Sequence, residues 1–184
     1  PHPSILLKGQ KISDFDLDFR WNLYTGWDQG VEKYDIYRAL NESRDFTLFE
    51  GNFNDSMAKI ATGNDGYKQC YRVVAVKAGD ENIKSWSNEV CFNFEPKLFV
   101  PNTFTPNNDG LNDIFKVVAG NVALFEMNIY SRWGEKIFHS ISYEEGWDGT
   151  FQGQACPAGV YLVIINYSGS SHNITYTGSV TLLK

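Results

Sequence analysis

The chain has 184 residues, 42% hydrophobic and 21% charged, with a formal net charge of −6. This mix excludes a disordered tail, and the acidic balance offers no basic surface for nucleic-acid phosphates. The longest apolar run, residues 160–165, is too short to cross a bilayer as a helix. No signal peptide opens the chain, and Pro1-His2-Pro3 reads as a cut from something longer.

Aromatic residues are abundant, with 13 Phe, 10 Tyr and 5 Trp. Such side chains favour pleated, half-buried surfaces. Short period-two runs separated by Gly, Asn, Asp and Pro recur along the chain, and no stretch carries a sustained helical period. The expectation is an all-β protein. A composition break falls at Glu95-Pro96-Lys97: beyond it lie 7 of the 22 acids and 5 of the 16 bases. Two domains are therefore expected, residues 1–96 and 97–184, each the size of a small antiparallel β-sandwich.

In the first half, strands are predicted over residues 4–7, 15–21, 32–38, 46–50, 57–61, 69–77 and 87–94. Phe15, Leu17, Phe19 and Trp21 alternate with Asp16, Asp18 and Arg20, which gives one apolar and one charged face. Tyr71, Val73 and Ala75 alternate in the same way. Seven strands with Trp on the second and Tyr-x-Val-x-Ala on the sixth resemble a fibronectin type III domain. Tyr71 sits nearer the Ala than that family's pattern, so its tyrosine corner is not transferred to Tyr71.

The cysteines are Cys70, Cys91 and Cys156. If Cys70 and Cys91 lie opposite each other in a hairpin, its turn centres between Asp80 and Glu81, within Gly79-Asp80-Glu81-Asn82, which is good turn chemistry. A cross-strand disulfide is predicted, and with it an oxidising compartment; the alternative is two reduced, buried thiols. Cys156, in Cys156-Pro157-Ala158-Gly159, reads as an incidental thiol.

The second half holds ordered motifs: residues 99–113, including Asn107-Asn108-Asp109-Gly110-Leu111-Asn112-Asp113; a strand–turn–strand at 127–138 around Arg132-Trp133-Gly134; Gly146-Trp147-Asp148-Gly149; Cys156-Pro157-Ala158-Gly159-Val160-Tyr161; and a final strand over 175–183 before Lys184. Residues 160–167 are apolar on both faces and read as a central strand. Together these motifs resemble the type B C-terminal sorting domain of the type IX secretion system, the gliding-motility-associated C-terminal family of Bacteroidota. The resemblance implies a domain that directs export of a larger cargo across the outer membrane to the cell surface or medium. It implies recognition by the type IX outer-membrane machinery, with a partner of the SprF/PorP family. Candidate contacts are Arg132 and Trp133 at the hairpin and Lys184, since Arg and Trp carry binding energy when a partner buries them. The alternative roles are packing for Trp133 and a solvated turn for Arg132.

Other chemistry is thinner. Asn107, Asp109 and Asp113 are candidate calcium ligands around the Gly110 bend, hard oxygens suiting that ion; the alternative is an Asx-turn serving the local backbone. His2, His139 and His172 lack metal spacing, Gly-x-Ser-x-Gly is absent, and the Asp16/Asp18 and Glu144/Glu145 pairs suggest no pocket. No catalytic residue and no firm cofactor are expected, and the reading is not an enzyme. A second function class is a carbohydrate-binding or adhesive module that stacks sugars on Trp27, Trp86 or Trp147.

Overall fold

The computed structural model describes residues 3–184; Pro1 and His2, read above as part of a cut, lie outside the described residues. Every regular element is a β-strand, and the chain divides into two units, Pro1–Phe94 and Glu95–Lys184. The division falls two residues before the boundary expected at 96/97. Phe94 is buried in the first core, and its amide donates to the Tyr67 carbonyl. The Glu95 carbonyl instead accepts from Asn121 of the second unit.

The first unit contains β1 (Leu7–Lys11), β2 (Asp16–Trp21), β3 (Val31–Leu40), β4 (Thr47–Phe53), β5 (Met57–Ala61), β6 (Lys68–Lys77), β7 (Asp80–Trp86) and β8 (Val90–Asn93). One sheet runs β1-β2-β5; the other runs β4-β3-β6, with both β7 and β8 pairing β6. Leu17, Phe19 and Trp21 of β2 face Tyr34, Ile36, Tyr71, Val73 and Ala75 in one core, as the alternation requires. Phe15 is not part of that face: the strand starts after it, and the ring is exposed.

Two strand assignments differ from expectation. The first strand starts at Leu7, not residue 4, because the Leu6 and Leu7 amides are bound by the side chains of Asn22 and Asn88 before the ladder with β2 begins. The strand predicted over 87–94 is the second of two. Tyr71 faces Val90 while Val74 faces Trp86, so one extra residue bulges out between 87 and 89. There Ser87 bonds both polar backbone groups of Val73, and Asn88 reaches across to Leu7. The turn is also displaced: it is Ala78-Gly79, with Gly79 at φ 81°, and Asp80 already pairs with Lys77.

The second unit contains β9 (Lys97–Phe99), β10 (Thr103–Phe104), β11 (Val118–Gly120), β12 (Leu124–Tyr130), β13 (Lys136–Ser140), β14 (Thr150–Phe151), β15 (Gln154–Ala155), β16 (Gly159–Ser168) and β17 (Asn173–Leu182). Its main sheet runs β10-β17-β16-β12-β13, antiparallel except for the short β10–β17 pair. The inner face, including Met127, Ile129, Val163, Ile165 and Val180, packs with Phe104, Phe115, Val117 and Trp147. Phe104 comes from the short edge strand β10, and the other partners from short pieces: the Phe115–Trp147 bridge and the segment leading into the β9–β11 ladder. The second layer is thus built from motif segments, not from a full sheet.

β16 is central, flanked by β12 and β17. It is not buried on both faces, however. Tyr161, Val163 and Ile165 point inward, while Val160 is 60% and Leu162 43% exposed. The continuous apolar run concealed an ordinary two-faced strand with an apolar outer stripe.

Candidate docking site at one end of the second unit

Register brings distant motifs together. Tyr130 faces both Leu162 and Lys136, and Gly159 faces Leu182. The β12–β13 tip (131–135), the Pro157-Ala158 turn and Lys184 therefore lie at the same end of the sheet. Thr103–Phe104 runs parallel to Thr181 and Leu182, so the loop after β10 leaves at that end too.

The tip is a tight turn. Gly134 sits at φ 81°, a conformation costly for other residues, and its amide closes onto the Ser131 carbonyl at 2.9 Å. This throws Trp133 outward, 82% exposed, with the Arg132 guanidinium 5.0 Å from the ring centroid. Trp133 is therefore not a packing residue of this unit. Between the tip and residues 157–161 lies a groove of about 260 Å³. Tyr161 closes its floor: the ring is buried 4.9 Å from Trp147, and the hydroxyl donates to the Pro157 carbonyl at 2.6 Å. That bond fixes the turn carrying the groove's far wall. Burial raises the pKa of the Tyr161 hydroxyl above its ordinary value, and Cys156 adds to the rise while Arg132 opposes it.

Beneath the groove Trp147 is wholly buried, 5.2 Å from Phe104, and its indole N–H donates to the Thr150 carbonyl. It cannot stack on a sugar. Trp27 packs on Tyr24 against the first core. Trp86 is 42% exposed, with Tyr37 at 4.8 Å. Trp27 and Trp86 belong to the first unit and Trp147 to the second.

Residues 105–113 form a self-satisfied loop. The Asp113 carboxylate accepts from the amides of Asn107, Asn108 and Gly110. Asp109 accepts from Leu111 and from the Asn107 side chain, and the Asn107 carbonyl oxygen accepts from the Asp109 amide. Partial burial pushes the Asp113 carboxyl up, but the backbone bonds outweigh it and hold the group below its ordinary value. Each of these side chains accepts hydrogen bonds from its own loop, the pattern of an Asx-turn.

Cys70 and Cys91 face each other in the β6–β8 ladder and are joined by a disulfide, with Cα atoms 4.0 Å apart. Glu89 lies beside them, 3.1 Å from the Cys91 sulfur. Cys156 is buried and free; burial, and then Asp148, raise its thiol pKa and leave it a poor nucleophile. His139 stands 3.4 Å from Glu126, and His172 is 3.0 Å from Ser171 in a turn. Sequence reasoning missed the role of Tyr161 as a floor and the outward stripe of β16. Alternation along residues 159–168 carried that second signal, but the unbroken apolarity masked it.

Fold and site define the class first: a tandem β-sandwich protein with no helix among its described residues. Within it, residues 98–182 match the family model of the CHU_C type IX secretion signal domain. The match spans nearly the whole second unit and none of the first, so the likeness to a type IX secretion signal domain belongs to the second unit, and export to the cell surface or medium is what such a domain implies. No curated protein matches the chain in sequence. Among solved structures, the chicken CNTN1 FN1–FN3 domains resemble it with a TM-score of 0.45 at 14% identity, covering 99% of this chain and 66% of that one. The pectate lyase PelI from Erwinia chrysanthemi, in complex with tetragalacturonic acid, resembles it with a TM-score of 0.41 at 19% identity, covering 55% of this chain and 34% of that one. This chain thus spans just under two thirds of the first structure and about a third of the second. Neither bears on what this chain binds.

Proposed function

We propose that the second unit is the export signal of a larger cargo protein, carried across the outer membrane by the type IX machinery and delivered to the cell surface. In this reading the first unit is a fibronectin-like spacer, a SprF/PorP-family protein is the outer-membrane partner, the source is a member of the Bacteroidota, and the fragment performs no catalysis. The supporting observation is the family match over residues 98–182. Geometry adds that the ordered motifs converge at one end around exposed Arg132 and Trp133. A receptor that reads a folded domain needs a rigid projecting patch, and rigid aromatic and Arg anchors suit that task.

The test is a periplasmic reporter fused to residues 1–184 in type IX-competent cells. The reporter should reach the surface or medium, and deletion of residues 97–184 should trap it in the periplasm. Export without residues 97–184 would overturn the reading. Substituting Arg132 and Trp133 by Ala should reduce export without changing the melting curve, because truncating exposed side chains moves stability by only about 0.5 kcal/mol.

A further inference from the structure

The second unit holds 8 acids and 5 bases, so composition predicts a mildly negative surface. Its available charge is distributed otherwise. Asp113 and Asp109 are occupied by loop amides, and Asp148 accepts from both donors of Thr150. Farther off, Lys116 pairs with Glu144, Glu126 holds Asn128 and His139, and Glu145 accepts from Ser140. Amide dipoles aimed at a carboxylate oppose its field and occupy its lone pairs.

The cations at the groove end are not so engaged. Arg132 begins the tip, Lys136 opens β13 opposite Tyr130, and Lys184 follows β17. None of the three forms an ion pair among the described residues; Glu135, at the tip, is the acid nearest them in sequence. Arg132 lines an apolar slot with Trp133 and Val160, continuous with exposed Leu162 along β16, and Lys136 and Lys184 lie at the same end of the sheet.

We infer that this end binds an acidic protein segment, extended along β16, with one apolar side chain seated in the groove between Trp133 and Val160. The inference rests on the docking role proposed above and adds the partner's chemistry. Charge complementarity selects carboxylates, and the slot has room for one side chain flanked by residues that reach the cations at this end. An anionic membrane would call for a broad cationic face, and the unit as a whole is net negative.

The experiment titrates the full chain with a short peptide of Asp and Glu around a central Leu, up to millimolar concentration. NMR shifts are followed at the Trp133 indole and at the amides of 131–136 and 160–162. Shifts should concentrate there, and the dissociation constant should rise about tenfold between about 50 and 500 mM sodium chloride. The Asn/Gln analogue should bind at least tenfold more weakly. The triple variant Arg132→Gln, Lys136→Gln, Lys184→Gln should keep its melting curve and lose binding. No localised shift, equal binding of the neutral peptide, or the same shifts with phosphatidylglycerol vesicles but not with the peptide would overturn the inference. In the export assay, normal export of the triple variant sinks this inference and leaves the sorting role standing. Peptide binding by a chain that is never exported does the reverse.

Discussion

The two units handle their polar residues in opposite ways. The first closes on itself: its two sheets cover one core, a disulfide ties β6 to β8, and charged side chains pair with one another, as in Arg38–Asp65, Arg72–Glu89 and Lys68–Glu42. Its cation–π contacts lie on sheltered rings, with Arg38 over Phe49 and Arg72 over Phe46, whereas Arg132 of the second unit lies over the exposed Trp133. The second unit builds much of its core from motif loops, and Lys116 pairs with Glu144 and His139 with Glu126. It leaves Arg132, Lys136 and Lys184 unpaired beside an exposed Trp133. Exposed ion pairs contribute little to stability, so the missing pairs cost the second unit little. Free cations and an exposed indole are instead what a partner can use. The contrast is what the proposed division into a spacer and a recognition element requires.

The sharpest way to break that comparison is to remove the loop-built half of the second core. Trp147→Ala should destabilise the second unit by about 4 kcal/mol, through a large cavity and an orphaned Thr150 carbonyl. Amide exchange should rise along β10 and β12–β17 while β2, β3 and β6 stay protected. Equal loss of protection in both units would show that they fold as one body. The converse is reduction of Cys70–Cys91, or Cys91→Ser. Opening a loop of 21 residues' separation should cost about 3 kcal/mol in the first unit on the chain-entropy account. Exchange in β16 and β17 should not change.

How far these contrasts could be read from sequence depends on whether the signal was local. Alternation along 15–21 and 71–75 placed the first core correctly except for Phe15, because period two is a property of each strand alone. The Cys70–Cys91 register is right in β8, yet the turn assigned from it lay at Asp80-Glu81, because the extra residue at 87–89 and a larger register shift between Val76 and Lys77 break the arithmetic. Asn22 and Asn88 side chains replaced ladder bonds before Leu7, a long-range substitution that no local pattern announces. In the second unit the motifs were visible one by one. Their meeting at one end was not, since it follows from three strand pairings whose partners are far apart in sequence.

pH sharpens the comparison from the first unit's side. Tyr71 is wholly buried in that core, and its hydroxyl donates to Gln69 at 2.7 Å. Burial pushes its pKa from 10.0 to about 12, Arg38 only partly opposing. The folded state therefore keeps a proton that the unfolded chain releases. The stabilisation is full below pH 10 and is lost as pH rises toward 12, a change of about 2 kcal/mol. Tyr71→Phe should abolish this alkaline loss while costing about 1 kcal/mol at neutral pH through the bond to Gln69. Chemical denaturation at pH 8 and pH 11 measures both. A pH-independent wild type would mean the ring ionises freely.

The smallest effect lies in the 105–113 loop. The Asp113 carboxyl is held below its ordinary value of 3.8 by backbone amides. A depressed pKa gives stability that is present above the unfolded value and fades as pH falls through the lower, folded one. Asp113→Asn removes the charge but keeps one acceptor, so the loop should lose part of its amide bonding. The melting temperature of the second unit should then fall at neutral pH by less than disulfide loss lowers that of the first, and the gap between wild type and variant should narrow toward pH 3. Calcium at millimolar concentration should leave both melting curves where they are, because Asp109 and Asp113 already spend their oxygens on the chain itself. A calcium-dependent rise in the wild type, absent from the variant, would make this loop a ligand site and would place a second recognition feature beside the groove.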